Sequence, residues 1–264
     1  MSEVAARGRG VVAAYGRVVA LDESDFTVPA GQLTAIIGPN GSGKSTLLHL
    51  VTGLVRPRRG TIEVLGTDPV RARRRVAYVL QTNKVNEAMP ITVREVVAMG
   101  RYAELGPLRP FTGRDRLLVD EALERMDIAD LGGRHLSELS GGQRQRVFVA
   151  QGLAQRADLL LLDEPVTGLD LASRRRIIDV ARAELARGVT VVYTTHDLAD
   201  AGEADHVLLL AGRVVAEGPP AEVLRPELLT AVYGVRIVRL PDGSIALDEG
   251  HHDAGRHVHF ERGR

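Results

Sequence analysis

The chain of 264 residues has no cysteine, no tryptophan, only five tyrosines and four phenylalanines, and no excess of either charge. Without cysteine, disulfides and thiolate metal sites are excluded. Lysine plus arginine and aspartate plus glutamate both number 34, so no net field favours nucleic acid as a partner. The core must therefore be built from Leu, Val, Ile and Ala. The length suits one large α/β domain, or one domain carrying an inserted subdomain.

Long apolar runs are also lacking. No run approaches the ~18 residues that cross a bilayer. The first residues, Met1 to Gly8, have no apolar core like that of a secretory signal. We therefore expect a chain that is made and kept in the cytosol, with any membrane contact made through a partner protein.

One glycine-rich stretch lies between an apolar run at residues 33–37, typical of a buried strand, and an apolar run at 47–51 that predicts the start of a helix. It matches the phosphate-binding loop pattern in this context. The glycines let backbone N–H groups approach a polyphosphate, and the helix N-terminus adds its positive dipole end. Lys44 can reach the β- and γ-phosphates and Ser45 can ligate Mg²⁺. The sequence predicts a nucleoside triphosphate site formed by Gly38, Pro39, Asn40, Gly41, Ser42, Gly43, Lys44, Ser45 and Thr46.

The rest of the chain predicts an α/β core interrupted by a helical region. A hairpin turn is expected at Pro29–Gly31, and a helix from Lys44 is expected to stop at Gly53. Continuous apolar runs without alternation are typical of strands buried on both faces of a parallel sheet. The predicted strands are residues 11–14, 26–28, 33–37, 60–66, 76–80, 159–163, 189–193, 207–210 and 214–216.

The helical region extends over about residues 82–155, and we predict that it is a subdomain inserted in the core. Thr92 and Glu95 have the spacing of a capping box that opens a helix. Val119, Ala122, Leu123 and Met126 form one apolar helical stripe. Further helices are predicted at 172–187 and at 221–232, where Pro226 breaks the second. Residues 235–264 are expected to form a C-terminal extension.

Two further motifs carry chemistry. In Leu139-Ser140-Gly141-Gly142-Gln143, the serine can cap a helix whose first turn exposes free N–H groups, which makes a second anion site. Asp163 and Glu164 end the apolar run 159–162, and such a strand end lies at the ligand-binding edge of an open α/β sheet. In a nucleoside triphosphatase the first acid belongs to the metal, and the second is free to accept a proton from water.

The chain resembles the ATP-binding-cassette ATPases, whose LSGGQ signature is complete here, with Ser140 96 positions after Lys44. The resemblance extends from about Tyr15 to Gly234. It implies a phosphate-loop NTPase core with a mixed sheet, an N-terminal antiparallel β-subdomain and an inserted helical subdomain. It also implies that ATP binds with Mg²⁺ and is hydrolysed, with Ser140, Gly141, Gly142 and Gln143 contacting the nucleotide.

The same resemblance implies a role for each of several single residues. Asp163, with Ser45 and Gln81, would hold the metal, and Glu164 would be the general base. His196 would contact the γ-phosphate, although a lone histidine at a strand end is more often structural. Tyr15 would stack on adenine, the alternative being an ordinary half-buried strand tyrosine. Asp170 would be the acidic residue of the loop that links two nucleotide sites.

The partners implied by the resemblance are a second copy of the chain, which completes each ATP site, and separate integral membrane permease subunits. A substrate-binding protein would act indirectly, and no nucleic acid is expected. The chain would then lie at the cytoplasmic face of the cell membrane and power uptake. Residues 92–102 look most like the zinc, manganese and iron branch of importers. Iron-siderophore or haem import, or a soluble role in translation or DNA repair, remain as alternatives.

A histidine-rich tail agrees with metal transport. Four of the eight histidines fall in the last 14 residues, at positions 251, 252, 257 and 259. Neutral imidazole suits zinc, so the tail could sense or buffer this metal. The alternative is a polar tail with adventitious metal affinity.

Overall fold

The computed structural model describes residues 3–80, 90–106 and 109–234, together with the backbone of residues 236–239 and 245–248. Gln81, the predicted beginning of the helical region and the four tail histidines lie outside the described residues. The strands in chain order are β1 (Val4–Tyr15), β2 (Val18–Pro29), β3 (Leu33–Ile37), β4 (Arg59–Val64), β5 (Val76–Val79), β6 (Leu159–Leu162), β7 (Thr190–Thr195), β8 (His206–Leu210), β9 (Val214–Gly218), β10 (Arg236–Arg239) and β11 (Ile245–Asp248).

Helices occupy the positions that the sequence predicts, with short additional turns between them. Gly53, just after the first helix, adopts a φ of +67°, which suits the predicted stop. The helices are α1 (Lys44–Val51), α2 (Pro69–Ala72), α3 (Val93–Met99), α4 (Tyr102–Leu105), α5 (Gly113–Arg125), α6 (Gly141–Ala154), α7 (Leu171–Ala186), α8 (Leu198–Gly202), α9 (Pro220–Val223) and α10 (Pro226–Tyr233).

The described strands form three sheets. An antiparallel sheet has the order β2-β1-β4, and β10 pairs with β11. The central sheet has the order β5-β6-β7-β3-β8-β9, in which only the β8–β9 pair is antiparallel. The fold is therefore the predicted mixture of an antiparallel β-unit and a mixed central sheet with helices.

The predicted hairpin at Pro29–Gly31 is wrong. The turn is present, but β2 pairs with β1 while β3 pairs with β7 and β8 in the other sheet. β3 has a parallel neighbour on each side, and all five of its residues are buried. At the turn, the Gly31 N–H donates to Thr190 Oγ1 at 2.9 Å, which joins the crossing chain to the central sheet.

Apolar side chains cover both faces of the central sheet. Within β6, Leu160 and Leu162 belong to the core shared with the helical region, whereas Leu159 and Leu161 belong to the core shared with α1 and the antiparallel sheet. Residues of β3 and β8 divide between the two cores in the same alternating way. Because both faces of the sheet are buried, the sequence of each of these strands is a continuous apolar run.

Helices α3 to α6 lie between β5 and β6 in the chain. Thr92 caps α3 by accepting a hydrogen bond from the Glu95 N–H, and Glu95 accepts in return from the Thr92 N–H, which confirms the predicted capping box. The four residues of the predicted stripe, Val119, Ala122, Leu123 and Met126, are all buried. Helix α5 therefore packs through the apolar face that the sequence predicts.

A buried ion pair joins the helices of this region. Arg101 and Asp115 are 2% and 3% exposed, and Arg101 Nε lies 3.0 Å from Asp115 Oδ1. The same guanidinium donates to the Ala154 carbonyl at 2.9 Å, at the end of α6. Hydrogen bonds from Thr112, together with Arg101, lower the pKa of Asp115 from 3.8 to about 2. One pair thus joins α4, α5 and the end of α6.

We expect Asp115→Asn to lower the free energy of unfolding by about 3 kcal/mol, because it removes the buried partner of Arg101 and leaves this guanidinium only the half-exposed Glu104 as a charged partner. Asp120→Asn is the matched control on the same helix: its pair with Arg94 is half exposed, so the loss should stay below about 1 kcal/mol. Urea unfolding at neutral pH compares the two variants. Equal losses would contradict the role given to the buried pair.

The same pair predicts a dependence on pH. The pKa of Asp115 is lower in the folded protein than in the unfolded chain, so its contribution is complete above the unfolded value. It is lost as the pH falls from about 4 towards 2. In a urea series at decreasing pH, the difference between the parent and Asp115→Asn should therefore shrink over this range.

Candidate functional site

The phosphate-loop residues connect β3 to α1, and the backbone there requires glycine. Gly38 and Gly43 have φ of +152° and +101°. A Cβ on Gly38 would lie 2.2 Å from the Leu210 carbonyl oxygen, and one on Gly43 would lie 2.9 Å from the Ala20 carbonyl oxygen. The turn after β8 supports the loop, because the Gly212 N–H donates to the Ser42 carbonyl at 3.1 Å. The loop is therefore fixed between strands from both sheets.

Lys44 is held across the mouth of this loop. Its ammonium donates to the carbonyls of Gly38 at 2.8 Å and Pro39 at 3.1 Å, and the residue is only 6% exposed. Burial lowers the pKa of Lys44, and the charges of Glu164 and Asp163 oppose that shift. The structure thus brings the loop and the two acids into one electrostatic site.

Strand register explains how the distant motifs meet. Ile37 of β3 lies opposite Thr195 of β7, so Gly38 and His196 leave neighbouring strand ends. Leu162 of β6 lies opposite Tyr193 of β7, which puts Asp163 beside the end of β7. Because these strands are parallel, their carboxyl ends share one edge of the sheet. His196 is exposed at this edge.

The two acids are held in different ways. Asp163, 3% exposed, accepts hydrogen bonds from Thr194 Oγ1 at 2.8 Å and from the Tyr78 hydroxyl at 3.1 Å. Glu164 has a φ of +48°, unusual for a residue with a side chain, and its N–H donates to the same Thr194 hydroxyl at 2.7 Å. Thr194 therefore orients both acids. Burial and the charge of Asp163 raise the pKa of Tyr78, so its hydroxyl remains a donor at neutral pH.

The donor set suits Mg²⁺. The oriented Asp163 carboxylate and the Ser45 hydroxyl, which is half buried in the first turn of α1, are the hard oxygen ligands that this ion prefers. In the described part of the chain, no group of three or more His, Asp and Glu side chains could hold a metal by itself. Oxygen atoms of a bound nucleotide would have to complete such a site.

The signature segment forms the N-terminus of α6. Ser140 Oγ accepts from the Gln143 N–H, and Gln143 Oε1 accepts from the Ser140 N–H at 2.9 Å, forming a capping box. The N–H groups of Gly141 and Gly142 have no partner within the helix. Among described residues, no hydrogen bond or ion pair joins Ser140–Gln143 to the phosphate loop. One chain therefore presents two separate anion-binding ends.

Asp170 lies next to the signature rather than next to the phosphate loop. It caps α7 by accepting from the Ser173 N–H at 2.9 Å and from the Ser173 hydroxyl at 2.8 Å. Those hydrogen bonds lower the pKa of Asp170. A Cβ on Gly142 would lie 2.8 Å from Asp170 Oδ2, whereas a Cβ on Gly141 would meet nothing within 4 Å. The close contact gives a packing reason for glycine at the second position.

Tyr15 ends β1 with its side chain about half exposed, at 48%. Its hydroxyl lies 2.9 Å from His49 Nδ1 on α1, the helix that begins in the phosphate loop. The aromatic face at this strand end is thus tied to the nucleotide site through α1.

Sequence reasoning missed three residues that organise the site: His49, Tyr78 and Thr194. Each is a polar or aromatic residue within or beside an apolar run, at 47–51, 76–80 or 189–193. That interruption is a usable signal, but only the register of the strands shows which functional group each residue contacts.

The comparisons with known proteins agree with this geometry. A family model described as ABC transporter matches residues 21–167. The zinc transport system ATP-binding protein TroB of Treponema pallidum (strain Nichols) is 41% identical over 248 residues, which cover 93% of this chain and 92% of that protein. The chain belongs to the ABC transporter family. The resemblance inferred from the motifs is confirmed, and the protein is an ATPase that binds ATP.

A second relative of this ABC ATPase is the manganese transport system ATP-binding protein MntB of Bacillus subtilis (strain 168). It is 40% identical over 242 residues, covering 91% of this chain and 96% of that protein. Both relatives are ATP-binding subunits whose names specify transport of zinc or manganese.

Solved structures confirm the ABC ATPase fold. A metal-chelate-type ABC transporter in an inward-facing conformation matches with a TM-score of 0.80 and 27% identity, over 93% of this chain and 98% of that chain. The dimeric ATP-binding cassette MJ0796, bound to ADP and phosphate, matches with a TM-score of 0.72 and 26% identity, over 81% and 98%. No helix in the described ranges has both the length and the apolar composition to span a membrane.

We predict that Thr194→Val lowers the free energy of unfolding by about 2 kcal/mol, because it leaves the Glu164 N–H without its hydrogen-bond acceptor and leaves Asp163 with the Tyr78 hydroxyl but without the Thr194 hydroxyl as a donor. ATP turnover should fall as well, since both acids lose their anchor. Urea unfolding and steady-state ATPase assays measure the two effects.

Thr34→Val is the matched control. Thr34 is 0% exposed in β3, and its hydroxyl has no hydrogen-bond partner among the described residues. The same substitution should therefore be neutral or stabilising there. If both variants lose the same stability, the hydrogen bonds of Thr194 do not account for its effect.

Proposed function

We propose that this protein is the ATP-hydrolysing subunit of an importer for metal ions, with zinc or manganese as cargo. The single observation that carries the proposal is the meeting of Lys44, Asp163 and Glu164 at one sheet edge, in a chain that resembles metal-transport subunits over nearly its full length. Residues 1–234 would form the ATPase domain, with the helical region at about 82–155 as its subdomain.

Nucleotide binding follows from the loop geometry. Backbone N–H groups of the loop between β3 and α1, other than Pro39, which has none, and Ser42, which donates to the Pro39 carbonyl, would face the triphosphate with the α1 N-terminus, and Lys44 supplies a fixed positive charge. Tyr15 stacks on adenine. The negative charges of Glu164 and Asp163 favour the charged form of Lys44, although burial has the larger effect and lowers its pKa.

Ser45 and Asp163 would hold Mg²⁺, with Gln81 as a further ligand from outside the described residues. When bound, the ion would neutralise charge on the β- and γ-phosphates. The chain's own contribution is orientation: Tyr78 and Thr194 fix the Asp163 carboxylate by hydrogen bonds.

Hydrolysis needs a base and a group that steadies the terminal phosphate. Glu164, whose backbone is fixed by Thr194, accepts the proton of the attacking water. His196, exposed at the neighbouring strand end, contacts the γ-phosphate. These roles require the two side chains to face one point above the loop, which the parallel register of β3, β6 and β7 supports.

A second copy would complete each site. Ser140, Gly141, Gly142 and Gln143 lie apart from their own phosphate loop, and the free N–H groups of the glycines suit the γ-phosphate held by another subunit. Asp170, adjacent to Gly142, would then lie between the two nucleotides. The dimeric MJ0796 cassette supports this arrangement for a chain of the same fold.

Transport requires partners. The proposed assembly includes integral membrane permease subunits, which would hold the chain at the cytoplasmic face of the membrane, and a substrate-binding protein that acts indirectly. Import of a chelated metal, such as an iron-siderophore or haem, is the second candidate, favoured by the likeness to the metal-chelate-type transporter.

Glu164→Gln should lower kcat for ATP by about 100-fold or more, because the amide cannot accept a proton, while ATP affinity is retained. The trapped ATP should hold two chains together. Steady-state ATPase assays and size-exclusion chromatography with light scattering measure turnover and mass. Glu124→Gln, at an exposed position of α5, should behave as the parent does.

Hydrolysis at the parent rate by Glu164→Gln would show that another group is the base. If turnover is lost but no dimer forms in ATP, the role of Glu164 as general base stands, whereas the proposal of an ATP site shared by two copies is contradicted.

Cargo is tested by growth rescue in a strain that lacks the gene. We expect the parent gene to restore growth under zinc or manganese limitation, and Glu164→Gln not to do so, because uptake needs hydrolysis. The parent should also copurify with an integral membrane protein. Rescue only by chelated iron would favour the second candidate, and copurification with ribosomes or DNA would contradict both.

A further inference from the structure

The Tyr15 hydroxyl is hydrogen-bonded to His49, a residue with no assigned role. The Tyr15 hydroxyl and His49 Nδ1 are 2.9 Å apart, a hydrogen bond whose direction depends on the imidazole tautomer. His49 lies four residues after Ser45 on α1, one turn further along the same face. The residue that meets Tyr15 therefore belongs to the helix that begins at the phosphate loop.

His49 is itself fixed against the metal-binding side of the site. Its ring packs edge-on against Tyr78, with centroids 5.8 Å apart and an interplanar angle of 85°. The Tyr78 hydroxyl donates to Asp163 Oδ2 at 3.1 Å. A continuous set of contacts thus runs from Tyr15 through His49 and Tyr78 to Asp163.

We propose that His49 is a positioning residue that holds the Tyr15 ring in the orientation needed to stack on the nucleobase. The proposal rests on the adenine-binding role of Tyr15 given above. A tyrosine side chain at a half-exposed strand end has two free torsions, and a base can use its face only after both are fixed. Because the hydrogen bond to His49 fixes the far end of the ring before the nucleotide arrives, binding requires less ordering.

The contribution is specific to the base. Tripolyphosphate offers the phosphate loop the same kind of anion without an adenine ring, so it gains nothing from an ordered Tyr15. If His49 acted only by stabilising α1, its substitution would weaken the binding of both ligands, because α1 begins in the phosphate loop.

Two substitutions remove the hydrogen bond from opposite ends. His49→Phe retains an aromatic ring against Tyr78, and Tyr15→Phe retains the stacking face. We expect each to weaken ADP binding by about three- to tenfold, measured by isothermal titration calorimetry on the full chain. The double variant should be no weaker than the single ones, because all three lack the same bond. Binding of tripolyphosphate should be unchanged throughout.

His49→Asn tests the chemistry, since its amide can occupy the place of Nδ1. It should retain most of the parent affinity for ADP, whereas His49→Phe does not. Melting temperatures of all variants separate loss of fold from loss of binding.

Parent-like ADP affinity in both His49→Phe and Tyr15→Phe would overturn the proposal, as would equal losses for ADP and tripolyphosphate. Tyr15→Ala tests separately whether the Tyr15 ring binds adenine at all. If Tyr15→Ala binds ADP as the parent does, Tyr15 is not the adenine platform. If Tyr15→Ala weakens ADP binding but the two phenylalanine variants do not, only the role of His49 is wrong.

Discussion

Burial of the central sheet on both faces is the constraint from which the rest of this structure follows. Residues of β3, β6 and β8 contribute alternately to two cores, so these strands have no solvent-facing side on which a charged side chain could lie. Carboxylate and ammonium side chains therefore lie beyond the ends of these strands. The phosphate loop, the Asp163–Glu164 pair and His196 all begin where a parallel strand stops, and parallel strands stop at the same edge.

At the edge where these strands end, two acids lie near the buried Lys44, and hydrogen bonds hold the acids in place. Much of this hydrogen bonding comes from Thr194: one hydroxyl donates to Asp163 and accepts from the Glu164 N–H. Tyr78 completes the hydrogen bonding of Asp163 and also supports His49, which reaches Tyr15. The Asp163 carboxylate and the Tyr15 ring thereby belong to one set of contacts, although they come from different sheets.

The separation of the two anion-binding ends has a structural cause. The signature begins α6, whose other end is held to α4 and α5 through Arg101 and Asp115, so it belongs to the helical region rather than to the phosphate loop. A subunit built in this way suits a reaction in which a second copy supplies the missing half of each site.

The sequence by itself determined the local features: the phosphate loop, the capping box at Thr92, the helix cap at Ser140, the strand that leads into Asp163, and the family. These depend on residue type and spacing within a few positions, where backbone conformation and hydrogen bonding are local. Tertiary structure decided the rest. It moved β2 and β3 into different sheets despite a hairpin-like turn, and it joined Thr194 to both acids and Tyr15 to His49. Such contacts depend on strand register and on which face each helix packs, and neither is specified by neighbours in the chain.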